Sequence, residues 1–380
     1  MRIADVVRER GPVTVAAFMD LALYDPEVGY YARAAKRSGR AGDFFTSVDV
    51  GPLFGDLLEI QIAEMATLLE PPASSPQPLV FDLVEAGASN AQLSTDILRA
   101  AHRRDPAVYD RTRLHLVEAS AHARAAARAT LGEVADRLVS LVSSTDSLPS
   151  AFTGVLLANE LLDALPVHQV VMRPEGLREV YVTSTGTHGP LATCEGPLST
   201  PALAEHLDRV NVRLEPGWRA EINLRAIDWL RDAARRLGRG FIVIIDYGHE
   251  ACELYSESHA DGTLTTFAHH VAEGPVDAPA TPSWLRHPGE QDITAHVDFT
   301  SVRAMAEAEG LSPLGFLDQT YFLMGLIGQR GQVPFSEKDS RALKTLLIPG
   351  GLGSTHKVLI LGKNVGTPRL CGCSYRMRVT

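Results

Sequence analysis

The chain holds 380 residues, 45% of them hydrophobic and 22% charged, proportions ordinary for a globular protein built as one large domain or two lobes. Its formal net charge of −10 argues against a general nucleic-acid or anionic-membrane binder, which needs a basic face, and suits a basic partner instead. No apolar run reaches the length of a membrane span, and the charged Met1–Arg10 stretch has no leader character, so a cytoplasmic protein is expected.

Residues 3–24 read as helical, with Val6, Val7, Phe18 and Leu21 on apolar faces and a break at Gly11-Pro12. Two segments rich in glycine, aromatics and hydroxyls follow, Tyr24 to Tyr31 and Gly39 to Ser47. Their composition suits a loop folded over a site, and equally a packed surface loop. Leu53 to Leu69 is an amphipathic helix, and the Pro- and Ser-rich run from Pro71 to Pro78 reads as a linker.

From Leu79 a strand-helix rhythm sets in. The first strand ends at Glu85, and its helix reaches about Arg103. Arg113 to Glu118 is a second strand, with Ser120 capping a helix to Leu131. Leu138 to Val142 is a third, followed by Asp146, and Gly154 to Asn159 is a fourth. This spacing implies a parallel sheet with right-handed crossovers. The rhythm then breaks. Val167 to Arg173 and Leu177 to Thr183 form a hairpin around Pro174-Glu175-Gly176, and a polar run from Thr185 to Pro201 leads to a helical stretch ending at Leu214. Ile222 to Leu237 is helical again, and the unbroken apolar run Gly240 to Asp246 is a fifth, central strand. Residues 255–283 form a long irregular connection of functional type, Phe299 to Glu309 a helix, and Leu314 to Asp318 with Lys357 to Leu361 a closing antiparallel pair. The expected division is an N-terminal helical region over 1–78, a core over 79–166 and 217–362, an inserted lobe over 167–216, and a loose tail over 363–380. Of four cysteines, only Cys371 and Cys373 lie close in sequence, in a spacing that matches neither a zinc site nor a disulfide scaffold.

Open parallel sheets bind ligands at the carboxyl ends of their strands, and there the chain places Glu85, Glu118, Asp146, Asn159-Glu160 and Asp246. Glu118 suits a ribose diol, because one carboxylate accepts from both hydroxyls. Glu85 would repel a pyrophosphate but suits hydroxyls, an amine or a sulfonium, all of which S-adenosylmethionine (SAM) carries. The turn Gly87-Ala88-Ser89-Asn90 lacks the G-x-G-x-x-G of a dinucleotide site, and the closing antiparallel pair favours the SAM fold.

The residues then match a family. The chain resembles the MidA/DUF185 family of SAM-dependent methyltransferases, whose mitochondrial member is a complex I assembly factor that methylates an arginine. The resemblance rests on Asp25-Pro26 with Gly29-Tyr30-Tyr31, Gly42 to Ser47, Phe54-Gly55, Glu85-x-Gly87, and Glu118-Ala119-Ser120. It continues through Ala158-Asn159-Glu160, Asp163 to Val167, Gln169, Asp246-Tyr247-Gly248, Gly262-Thr263-Leu264 and Pro288-Gly289, ending with Asp292 to Phe299. Ser89 and Ala91 stand where the family turn carries its two later glycines; a non-glycine residue held at positive φ there costs on the order of 1 kcal/mol.

The resemblance implies an α/β fold, a class I methyltransferase with a Rossmann-like seven-stranded sheet, an N-terminal helical region and an inserted smaller lobe. It implies a SAM site made of Gly42, Asp43, Phe44, Thr46, Glu85, Gly87, Ser89, Glu118, Asp146 and Asn159, with Asp146 near the adenine and the Gly42-Asp43-Phe44 loop over the methionine end. An arginine nucleophile needs carboxylates to orient its guanidinium, a role for Glu160 and Asp163. His296, between Asp292 and Asp298, is a candidate base or lid contact, or a histidine of the packed interior. The substrate is then a basic protein segment or a small molecule, with no nucleic acid, no membrane span and a homodimer left open. A catalytically weak SAM-binding assembly factor is the alternative from another class, separable by SAM binding.

Overall fold

The computed structural model describes residues 3–33, 46–71, 80–144, 151–186, 189–268, 271–274, 281–330, 335–348 and 352–375. The chain divides into two compact units, one of residues 1–45, 162–228 and 248–304, the other of residues 46–161, 229–247 and 305–380.

The second unit is built on a sheet whose strands are hydrogen-bonded in the order Ser312–Asp318, His356–Lys363, Leu237–His249, Phe152–Asn159, Phe81–Ala86, Thr112–Val117 and Leu138–Val142. The last five pair in parallel, while His356–Lys363 runs antiparallel to both of its neighbours. The Ser312–Asp318 strand therefore shares the common direction, and the final strand alone is reversed in this path. The central run Phe241 to Ile245 is almost fully buried, as a strand covered on both faces must be. Leu83, Leu116, Val155, Leu157, Val243 and Ile360 form one apolar core with Phe54 and Leu57 of the Leu53–Leu68 helix, Ile97 of Gln92–Arg104 and Phe322 of Gln319–Gln329. Asp82 is buried within the sheet, where Arg113 Nε donates to it at 2.9 Å and His115 Nε2 lies 3.1 Å away, so its charge is balanced. Strand order reverses between Phe81–Ala86 and Phe152–Asn159, and a crevice outside their carboxyl ends is where such sheets take ligands.

One expectation is corrected in this unit. The tail is not loose as far as Tyr375: Leu370 is buried, Cys371 N–H donates to Glu64 Oε2 at 2.9 Å, and Gly372 N–H donates to Gln61 Oε1 at 3.0 Å. The polar atoms of the Leu53–Leu68 helix capture the tail because buried acceptors require donors. Burial pushes the Cys371 and Cys373 thiols up to about 12 and 11, with Glu64 adding to both shifts, so neither is a ready thiolate. The expected linker at Pro71 to Pro78 falls almost wholly outside the described residues.

The first unit is larger than the expected 167–216 lobe, because the N-terminal helices and residues 248–304 join it. The hairpin forms as read, His168–Arg173 against Gly176–Ser184. The polar stretch after it holds a further strand, Leu191–Gly196, paired with Gly176–Ser184, and Val13–Thr14 and Arg219–Ile222 complete that sheet. The connection read as irregular contains Thr265–Ala268, which pairs with Val271–Glu273 and with Asp292–Thr294. Phe18, Met19, Leu23, Tyr30, Val171, Val180, Trp284 and Ile293 fill its core.

Candidate active site

The turn after the first core strand is held by the strand beside it. Gly87 and Ala88 N–H groups donate to Val117 O at 2.9 and 3.1 Å, and Ser89 N–H donates to Glu118 Oε2 at 2.8 Å. Ser120 N–H donates to the other carboxylate oxygen at 2.6 Å, and Ser120 Oγ caps the Ala121–Leu131 helix. Each oxygen of Glu118 keeps a lone pair for a further donor, which leaves the carboxylate able to take a diol. Burial raises the Glu118 pKa, against the lowering effect of these two bonds.

Gly87, Ser89 and Ala91 have φ of 72°, 47° and 68°. Serine and alanine thus adopt the left-handed backbone that glycines would adopt freely, and the turn keeps its shape without them. A Cβ on Gly87 would lie 3.1 Å from Leu161 Cδ1, so this position has no room to spare. Glu85, just before the turn, is buried and accepts from the backbone N–H and hydroxyl of Ser94. Burial, with Glu118 and Asp96 nearby, lifts its pKa to about 7 in spite of those bonds.

The fourth core strand reaches the same end of the sheet, with Ala158 opposite Ala86 and Asn159 opposite Ile245. Glu160 follows it at φ 49°. Of the non-glycine residues at positive φ among those described, two are asparagines, which tolerate that conformation; Ser89, Ala91 and Glu160 are the others, and all lie at this sheet end. Glu160 Oε1 accepts from Ser47 N–H and Asn159 Nδ2, each at 3.4 Å, and lies 3.4 Å from Nε2 of the fully buried His356. His356 packs against Tyr247 with ring centroids 3.9 Å apart. Asn159 Oδ1 is buried and has no hydrogen-bond partner among the described residues, an acceptor suited to an ammonium donor. A paired carboxylate, a bare amide oxygen and a turn of close-approaching backbone fit SAM. Thr46 sits beside this set, its backbone and hydroxyl both donating to Asp49 Oδ2.

The first unit carries a separate acidic and aromatic group. Tyr31 donates its hydroxyl to Asp292 Oδ1 at 2.9 Å, and Tyr24 donates to Ala164 O at 3.0 Å, with the two tyrosine rings 5.3 Å apart. Burial and the charges of Asp292 and Asp163 hold the Tyr31 pKa well above its ordinary value, so the phenol stays protonated. Asp163 is 7% exposed, and its backbone oxygen accepts from Ala295 N–H at 3.0 Å. His296 stands beside His249 and His259, with ring centroids 5.2 and 5.9 Å away, and burial holds its pKa down to about 4.

The structure therefore gathers Glu85, Gly87, Ser89, Glu118, Asn159, Glu160 and Thr46 in one unit and places Asp163 and His296 in the other. Gly42, Asp43, Phe44 and Asp146 lie outside the described residues. Sequence reasoning passed over His356 and Asp292 as site residues. Asp292 lay in a quoted motif, while His356 had no local signal.

A family described as "Putative S-adenosyl-L-methionine-dependent methyltransferase" matches residues 57–317. The protein arginine methyltransferase NDUFAF7, mitochondrial, of Bos taurus is 30% identical over 373 residues, covering 90% of this chain and 77% of its own. Its counterpart of the same name in Mus musculus is 29% identical over 374 residues, covering 90% of this chain and 78% of its own. A solved structure from Burkholderia thailandensis bound to S-adenosyl-homocysteine superposes with a TM-score of 0.85 at 26% identity, over 99% of this chain and 95% of that one. The curated relatives are named as mitochondrial, which overturns the cytoplasmic expectation. With a match over most of its length and a sheet of methyltransferase order, the chain belongs to the MidA/DUF185-like family of SAM-dependent methyltransferases.

Proposed function

We propose that this methyltransferase modifies an arginine side chain in a protein. The observation that carries the reading is the group around Tyr31, where Asp292 accepts the phenol and the Asp163 charge acts on the same hydroxyl, with the Tyr24 ring alongside. Carboxylates and aromatic faces together recognise a guanidinium, the former through paired N–H bonds and the latter through cation–π attraction. Relatives named as protein arginine methyltransferases support it, and a chain of net charge −10 suits a basic segment as partner.

SAM, when bound, supplies a methyl group on a sulfonium sulfur. Glu118 would hold its ribose, Glu85 and Asn159 its cationic end, and Gly87 and Ser89 would admit it to the backbone, together with Thr46, Gly42, Asp43, Phe44 and Asp146. Asp163 and Asp292 would pair with the guanidinium N–H groups. Glu160, held by Ser47 and Asn159, keeps a second carboxylate at the strand end. Positioning of this kind lowers the barrier by removing the entropy of encounter.

The test incubates the purified enzyme with methyl-labelled SAM and extracts of arginine-rich proteins, and reads the modified residue by mass spectrometry. Methylated arginine, lost in Asp163→Asn, is expected. Label on another residue type or on small molecules alone overturns the proposal.

A further inference from the structure

Three histidines from separate stretches of the first unit meet at one point. His249 ends the Leu237–His249 strand, His259 ends the short turn Glu257–His259, and His296 lies between the strands Asp292–Thr294 and Val297–Asp298. Parallel pairing of Gly248 with Val297 and of His249 with Asp298 brings the first and third together. One ring nitrogen from each lies within 4.8 Å of those of the other two, the one such group of His, Cys, Asp or Glu side chains among the described residues. The rings are tilted to one another, at 46°, 35° and 71°, rather than stacked as a pile of planar side chains.

Polar groups flank two of the three rings. His259 Nδ1 donates to the backbone oxygen of Glu253 at 3.0 Å, which leaves the Nε2 lone pair. Glu253 Oε1 lies 3.1 Å from His249 Nδ1, so a carboxylate stands beside this ring. A backbone carbonyl bonded to the far ring nitrogen, as at His259, is what orients metal-ligating histidines in known sites. His296 Nδ1 is buried and accepts or donates no hydrogen bond among the described residues. Packing three imidazoles together with a buried ring nitrogen unpaired is unfavourable unless something satisfies them.

We propose that His249, His259 and His296 bind one divalent transition-metal cation, zinc foremost, leaving a fourth position for water. Three nitrogens and no thiolate select zinc, nickel or copper over calcium or magnesium. Zinc–nitrogen bonds of about 2.0–2.1 Å place tetrahedral ligands about 3.4 Å apart, a closure within reach of small side-chain rotations from the observed spacing. The ion staples the strand end, the 257–259 turn and the 292–298 segment, so it acts on the stability of this unit.

The experiment uses full-length untagged protein, stripped with chelator and dialysed, titrated with zinc chloride by calorimetry. One zinc per chain at micromolar affinity or tighter is expected, weakened at least tenfold in His259→Gln. Zinc should also raise the melting temperature of the wild type and leave that of His259→Gln unmoved. Should the variant fail to fold, cobalt titrated into the wild type decides: visible absorption of a four-coordinate nitrogen and oxygen site supports the proposal, and its absence overturns it. Zinc binding of equal strength in folded His259→Gln, or none in the wild type, also overturns it.

Discussion

Glu118 Oε2 accepts the backbone N–H of Ser89 at 2.8 Å, so the carboxylate at the end of the second core strand fixes the turn after the first. Glu118 joins two tasks in one side chain, holding a left-handed serine in place and presenting its remaining lone pairs outward. A turn that lacks two of its family glycines can keep its geometry on these terms.

The strain at Ser89 and Ala91 is open to measurement. Ser89→Gly and Ala91→Gly each relieve about 1 kcal/mol of left-handed strain and add unfolded-state freedom of similar size. Urea unfolding should therefore move by no more than about 1 kcal/mol, with SAM affinity kept. Ala91→Val, β-branched and at φ 68°, should lose about 2 kcal/mol or more and bind SAM weakly. Equal tolerance of glycine and valine at position 91 would refute the argument from strain.

Glu85 gives a pH signature. Its folded pKa of about 7 lies above the ordinary value of about 4.3. Its contribution to stability is then full below about pH 4 and is lost as pH rises through about 7. SAM is cationic and favours the carboxylate, so binding should expel a proton, and affinity should rise from about pH 6 to 8. Thermal melts and calorimetry in buffers of different ionisation enthalpy read both trends. Glu85→Gln should flatten them; a variant that keeps the wild-type slopes places the titration elsewhere.

Variants of Asp163 and Tyr31 test the proposed substrate group apart from the cofactor site. Asp163→Asn should lower kcat/KM on the protein substrate at least a hundredfold, with the Kd for SAM changed less than twofold. Tyr31→Phe removes one hydrogen bond to Asp292, worth about 1 kcal/mol, and should cost roughly fivefold. Loss of SAM binding in Asp163→Asn would return that residue to a structural role.

A fourth test concerns the tail. A Cβ on Gly372 would fall 2.3 Å from Phe322 Cε2 and 2.8 Å from Gln61 Oε1. Gly372→Ala should cost about 1–3 kcal/mol by overpacking, read from the shift in melting temperature. An unchanged melting temperature would mean that the tail does not dock there.

Much of the core could be read directly because its strands are continuous apolar runs, and runs such as Phe241 to Ile245 admit few other placements. The acids at strand ends follow from the same periodicity. What depended on distant pairing was hidden. His356 meets Glu160 across nearly two hundred residues of sequence, and the Leu191–Gly196 strand owes its form to the neighbouring hairpin rather than to its own polar residues. Nor does a serine or an alanine announce a positive φ; at Ser89 it accompanies a hydrogen bond to Glu118, twenty-nine residues away in sequence. The unit boundaries were equally out of reach, since residues 248–304 join the N-terminal helices through contacts that no local pattern encodes.

The most direct measurement is calorimetric titration of SAM into the wild-type enzyme and into Glu118→Ala. The account predicts micromolar binding by the wild type and a loss of at least thirtyfold in the variant, which removes both the diol acceptor and the tie to Ser89. Binding of equal strength in a folded Glu118→Ala would contradict the site described for the cofactor.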